Sequence, residues 1–145
     1  MTEYLWVTCT PDWVVPSTAL RGGTDMDGAP IFVGRALHEG GWIPAKVIPD
    51  KSVAYVSYGG AEHAKQECQV LCEQHFEWVP SSDGNVPPDA VSSGTSGGEI
   101  LYIGRVYHSD SVTVGKVQPS HGVCYIPFDG NEVASTNYEV LVLKT

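Results

Sequence analysis

The chain has 145 residues, 42% of them hydrophobic, with 17 acidic against 8 basic residues and a formal net charge of −9. That length bounds it to one ordinary domain or two small interlocked ones, and that apolar content excludes a disordered chain. The negative balance disfavours nucleic acid and anionic membrane surfaces as partners, whereas a neutral ligand meets no such penalty.

Sixteen glycines and ten prolines suit short strands joined by tight turns and leave little room for long helices. In chain order, the expected strands are Leu5–Thr8, Ile31–Ala36, Lys46–Ile48, Ala54–Tyr58, residues 67–72, Glu77–Val79, Leu101–His108, Gly115–Val117 and Val123–Phe128. Turn signals fall between them at Arg21-Gly22-Gly23, Asp27-Gly28, Gly40-Gly41, Gly59-Gly60, Asp83-Gly84-Asn85, Gly97-Gly98 and Asp129-Gly130. The stretch AEHAKQECQVLCEQHF is rich in helix formers, but in its counterpart NEVASTNYEVLV the run Asn137–Leu143 alternates and is β-branched, so that run is read as a strand and residues 67–72 with it. Short strands at this rhythm imply an all-β chain, an antiparallel β-sandwich or a relative of one.

The N-terminal MTEYLWVTCTPDWVV has no basic segment followed by an apolar run, and no stretch approaches the ~20 apolar residues of a membrane span. A cytoplasmic protein that does not insert into membranes is the expectation. Cys9, Cys68, Cys72 and Cys124 are then expected to be reduced and buried. Cys68 and Cys72 lack CxxC spacing and a second ligand pair, so no metal or other cofactor is expected.

A constant offset of 70 aligns residues 31–72 with 101–142 without a gap, and 13 of these 42 positions are identical. Among them are Arg35/Arg105, His38/His108, Lys46/Lys116, Tyr55/Tyr125 and Glu62/Glu132. Upstream, YLWV at 4–7 matches FEWV at 76–79, and PSTAL at 16–20 matches PPDAV at 87–91. The chain therefore reads as two tandem repeats, 1–74 and 75–145, packed as one globular unit because so few residues separate them.

No GxSxG elbow, HExxH helix or phosphate-binding loop occurs, and the recurring His38 and His108 suit structural hydrogen bonding better than base catalysis. Asp25 and Asp27 lie on one turn, which is a solvated turn far more often than a glycosidase pair. The chain is thus read as non-catalytic. Recognition of a sugar needs a carboxylate to accept, an ammonium to donate and an aromatic plane to cover the ring. Asp25 in RGGTDMDG, Lys46 in GGWIPAK and Trp42 in the same segment supply that trio.

The strings WVPSSDGNVPPDAV, LYIGRVYHSD, GKVQPSHGVCYIPFDGNE and YEVLV resemble the DM-nine repeat family, also called domain of unknown function 3421. Nearly the whole chain is covered, and two tandem repeats with little else are similar to the small mannose-specific lectins of that group. The first repeat departs from the pattern, with Ala45 for Gly before the lysine and Asp50-Lys51-Ser52 for Ser-His-Gly. The resemblance implies two entwined repeats forming compact antiparallel β-sandwich units. It implies metal-free binding of mannose or mannose-containing glycans through an aspartate and a lysine of the first repeat, here Asp25 and Lys46. It further implies a homodimer and a role in innate recognition of microbial surface polysaccharide; for a cytoplasmic chain that role calls for release by a route that needs no signal peptide. In larger relatives the repeats are attached to a pore-forming domain, and nothing of that kind is expected here.

Asp25 aligns near Thr95 or Ser96, because SSGTSGGE is one residue shorter, and no carboxylate follows until Glu99. One strong site per chain is therefore expected, with a weaker second one around Ser96, Lys116 and Glu99. The alternative is a protein-interaction scaffold that has lost sugar binding.

Overall fold

The structure is a computed structural model in which residues 4–144 are described. It contains strands β1 (Trp6–Thr8), β2 (Arg21–Thr24), β3 (Pro30–His38), β4 (Gly41–Ile48), β5 (Val53–Tyr58), β6 (Ala61–Lys65) and β7 (Gln69–Leu71). These are followed by β8 (Phe76–Ser82), β9 (Ser92–Ser96), β10 (Glu99–His108), β11 (Ser111–Gln118), β12 (Val123–Phe128), β13 (Asn131–Ser135) and β14 (Asn137–Leu143). One 3₁₀ turn, Pro49–Lys51, joins β4 to β5, and another, Pro119–His121, joins β11 to β12. The protein is all-β, and no helix among the described residues is long and apolar enough to cross a membrane.

Every strand expected from the sequence is present, most of them longer than expected. Four strands were not foreseen: β2, β6, β9 and β13. AEHAK and NEVAS have weak strand propensity, and RGGT and SSGTS are built from small residues. Ladder partners hold all four, which is how tertiary pairing overrides local preference. Arg21-Gly22-Gly23 is strand rather than turn. A Cβ on Gly23 would lie 1.8 Å from the Val112 carbonyl oxygen, and one on Gly22 would lie 2.7 Å from a Val33 methyl. These glycines serve close strand approach, not a reversal of the chain.

Pairing closes a ring of eight antiparallel strands, β2-β3-β4-β5-β6-β13-β12-β11, with β11 returning to β2 through Val112 opposite Thr24. β1 and β7 extend the sheet from β3, while β14 and β8 extend it from β10 on β11. The two separate facing sheets of the expected sandwich are not what this pairing forms, since the strands belong to one continuous, partly closed sheet. Closure leaves the ring itself without an open end, and the sheet's free edges fall on the flanking strands β1, β8 and β9.

Register recurs between the halves: Lys46 lies opposite Tyr55, and Lys116 opposite Tyr125. The halves also cross over one another. Arg35 bonds Gln69 and the Ser93 carbonyl, and Arg105 bonds Glu139 and the Gly22 carbonyl. Each guanidinium thereby ties its own half to the strand contributed by the other. Ile31, Val33 and Leu71 share one buried cluster with Val91, Ile103, Val114 and Leu141. At ~1.5–3 kcal/mol for each such side chain fully buried, this common core makes the halves energetically inseparable.

Candidate functional site

The buried floor of the site forms where the two halves meet. Strand β4 is buried along its whole length from Ile43 to Ile48, and the Lys46 residue within it is only 4% exposed. Its ammonium sits 3.3 Å from a Glu62 carboxylate oxygen on β6. The same ammonium lies 5.3 Å from the Tyr55 ring centroid and 5.5 Å from that of Phe128, which comes from the other half. Glu62 also accepts the Gly130 amide at 3.0 Å, across the junction between halves.

The other half repeats the arrangement. The Lys116 ammonium contacts Glu132 at 2.9 Å between the rings of Tyr125 and Tyr58, and Glu132 accepts the Gly60 amide at 2.9 Å. The tips of the β5–β6 and β12–β13 hairpins are therefore cross-bolted by two charge-assisted hydrogen bonds, and each carboxylate that accepts one is paired with the lysine of its own half. Recurrence of Lys46 as Lys116 thus has a structural cause that the sequence reading left out. Glu62/Glu132 and Tyr55/Tyr125 recur at the same offset, and that signal was available.

What differs is the rim. Above Lys46, the β2–β3 loop presents Asp25, whose carboxylate accepts the Met26 amide at 2.9 Å and a hydrogen bond from the Lys51 ammonium at 2.8 Å. Lys51 also contacts Asp27 at 2.9 Å. Burial pushes the Asp25 carboxyl up, but the Lys51 hydrogen bond, the Met26 amide and the charges of Lys51 and Lys46 outweigh it and hold the group below the usual range. Hydrogen bonds to Asp25 and Asp27 push the Lys51 ammonium well above its ordinary value. Asp25, Met26, Lys46, Lys51, Tyr55 and Phe128 line one pocket of about 170 Å³, with Glu62 and Asp129 completing its polar wall. Asp25 and Lys46 are therefore brought together as expected. Lys46 is the buried floor of the pocket, however, not a group at its open mouth, because the strand expected at Lys46–Ile48 is part of the longer β4, buried from Ile43 to Ile48.

Trp42 is not part of this pocket. Its ring packs against the Arg35 guanidinium at 4.4 Å, with Trp6 on the same guanidinium, and it lines a different cleft with Leu37, Lys65 and Cys68. Trp42 lies four residues before Lys46 along β4, too far along the strand to reach the ammonium, and the aromatic surfaces beside Lys46 are Tyr55 and Phe128 instead.

In the second half, ladder register makes Ser96 the counterpart of Asp25 and Glu99 that of Ala29: Gly23–Ile31 and Thr24–Pro30 correspond to Gly94–Leu101 and Thr95–Ile100. The loop is one residue shorter, as the sequence suggested. Glu99 accepts from the Ser120 amide at 2.9 Å, the Ser120 hydroxyl at 2.7 Å and the Gln118 amide at 3.0 Å. Burial raises the Glu99 carboxyl, but these bonds and the charge of His121 leave it lowered overall. Glu99 is thus spent on tying down the 3₁₀ turn, and the second-site set of Ser96, Lys116 and Glu99 lacks an uncommitted carboxylate. Among the described residues, no group of three or more His, Cys, Asp or Glu is placed to hold a metal ion.

The model of the DM9 repeat matches residues 25–135, a span that includes both lysine–glutamate pairs and the Asp25 rim. The chain belongs to the DM9 repeat family. It is 27% identical over 139 residues to Natterin-4 of Thalassophryne nattereri, a match covering 90% of this chain and 33% of that protein. With Natterin-1 of the same organism the identity is 23% over 150 residues, covering 99% of this chain and 39% of the relative. This DM9 chain spans about a third of the length of the curated relatives it matches. The crystal structure of the nematode sperm cell motility protein MFP2B superimposes with a TM-score of 0.71 at 13% identity, over 99% of this chain and 48% of that one. That likeness shows the fold alone.

Proposed function

We propose that this DM9 protein is a metal-independent, non-catalytic lectin that takes one mannose-type residue per chain in the pocket over Lys46. The observation that carries the reading is the convergence of the Asp25 carboxylate and the Lys46 ammonium on one small pocket walled by Tyr55 and Phe128. An ammonium has three donors, of which Glu62 takes one, and a carboxylate has about four acceptor sites, of which Met26 and Lys51 take two. The remainder matches vicinal hydroxyls, each both donor and acceptor. A volume of about 170 Å³ is below the ~300–1,000 Å³ of sites for drug-sized molecules and suits a single sugar ring.

The same proposal describes the chain as two entwined repeats, supported by the recurring register and the crossed arginine bonds. It extends to a homodimer whose two sites gain avidity on microbial mannan, in a cytoplasmic protein. Glycan-array binding at neutral pH tests the core of it. Retention of mannosides that EDTA leaves unchanged is the expected result, and a flat array or chelator-sensitive binding would overturn the lectin reading.

A second reading, a protein-interaction scaffold without sugar binding, is favoured by one observation: Lys51 already occupies Asp25 and Asp27. Removing that cation with Lys51→Met separates the two, since a lectin retains mannan and a scaffold remains silent on the array.

A further inference from the structure

We propose that Cys9 and Cys68 form a thiol–disulfide exchange site that closes, on reaction with a small-molecule disulfide such as oxidised glutathione, into a bond fastening the N-terminal segment to β7. Their sulfurs stand 2.9 Å apart although the residues are 59 positions apart in the chain. The placement follows from the ladder. Thr8 lies opposite Gln69 in the β1–β7 pair, so the next residues along, Cys9 and Cys68, face one another, and the Cys9 amide donates to the Cys68 carbonyl at 3.0 Å. Directly opposed residues of an antiparallel pair have the Cα separation a disulfide needs, so closure requires no backbone movement.

The two thiols are unequal. Cys9 is half-buried and Cys68 is 4% exposed. The hydrogen bond between them lowers the Cys9 thiol and raises that of Cys68, which burial raises further. That difference makes Cys9 the attacking sulfur. Cys9 is the more exposed of the two cysteines, and its partner Cys68 lines an adjoining cleft of about 440 Å³ with Thr8, Trp42, Lys65 and Gln69, which leaves room beside the pair for the second half of the external disulfide. Cys72 and Cys124 are 1% and 0% exposed, with no other sulfur beside them among the described residues.

The exchange balances in two steps. The Cys9 thiolate attacks one sulfur of the external disulfide and expels the other half as a thiolate, leaving a mixed disulfide. The Cys68 sulfur then attacks Cys9 Sγ and expels the second half. Two protein thiols are oxidised, one external disulfide is reduced to two thiols, and the two protein protons end on those products. The closed bond holds Trp6 of β1 against the Arg35 guanidinium that it shares with Trp42.

The test uses the folded full chain incubated with oxidised glutathione, then quenched with acid, unfolded in denaturant, alkylated and read by intact mass and peptide mapping. The expected result is loss of two of four alkylatable thiols, a Cys9–Cys68 linked peptide, a raised Tm and full reversal by dithiothreitol. Cys68→Ser should instead stop at a glutathione adduct on Cys9, and Cys9→Ser should lose the exchange. Four alkylatable thiols after incubation, a stable glutathione adduct on wild-type Cys9, or a bridge involving Cys72 or Cys124 would each overturn the proposal.

Discussion

Lys46 and Lys116 form a matched pair in which a structural role and a binding role can be separated by experiment. Lys46→Met and Lys116→Met each keep most of the side-chain stem and remove one ammonium from a nearly identical setting. Side-chain exposures are 5% and 12% for Lys46 and Glu62, and 6% and 9% for Lys116 and Glu132. Removing one partner of a buried ion pair leaves an uncompensated carboxylate and costs about 3–5 kcal/mol. For a chain of this size that corresponds to a Tm lower by roughly 6–20 °C, from ~2–4 °C per kcal/mol. Both variants should therefore be destabilised to a similar degree, as read by thermal and urea denaturation. Only Lys46→Met should lose mannoside affinity, because only Lys46 lies under the Asp25 rim. One charge-assisted hydrogen bond is worth about 1.5–3 kcal/mol, which is roughly 10- to 150-fold in Kd by calorimetric titration below the Tm of both variants. Equal loss of affinity in the two variants, or full affinity in Lys46→Met, would refute the assignment of the sugar to the first pocket.

Two further outcomes follow from the geometry. Asp25 titrates below its ordinary 3.8, so its ion pair with Lys51 is fully present above that value and is lost as pH falls through the depressed one. Lys51, raised above its ordinary 10.5, keeps its charge across the neutral range. Mannan retention should consequently be flat from pH 8 to about pH 5 and fall only in strong acid; a midpoint near pH 6 would mean that a histidine controls the site instead. Gly23→Ala places a methyl 1.8 Å from the Val112 carbonyl oxygen, where β2 closes the ring onto β11. It should cost several kcal/mol, within the range of strained or overpacked substitutions, and appear as a large drop in urea midpoint. A Tm unchanged from wild type would contradict the close approach of these two strands.

Much of the architecture was legible in the sequence because the chain states it twice. Asn137–Leu143 alternates clearly, and its ungapped register with residues 67–72 corrected a helical-looking segment that shows strand Gln69–Leu71. The convergence of Asp25 and Lys46 was legible too, whereas the placement of Trp42 was not. A tryptophan beside two glycines reads as a loop residue, but Gly41 begins β4, and the ring is claimed by Arg35 from the neighbouring strand. The cation that occupies Asp25 was visible only as a departure, Lys51 standing where the other half has His121. Propensity does not report such partnerships, because a 3₁₀ turn and a loop 26 residues upstream meet only after the sheet has closed.

Under the proposed lectin function the rim, and not the buried pair, selects the pocket, and this can be tested by gain of function. Both halves carry the lysine, the glutamate and two flanking rings, so those groups alone cannot distinguish the pockets. The first half adds Asp25, Ala29 and Lys51 at positions where the second has Ser96, Glu99 and His121. Replacing the second rim by the first, as Ser96→Asp, Glu99→Ala and His121→Lys together, supplies an acceptor over Lys116. The same change releases the three hydrogen bonds that now commit Glu99 to Ser120 and Gln118. Titration with a mannoside should then move from one to two molecules per chain, with the new site the weaker because its loop is one residue short. A folded triple variant that still binds one molecule would show that loop length or Met26, not the acid and its cation, selects the pocket.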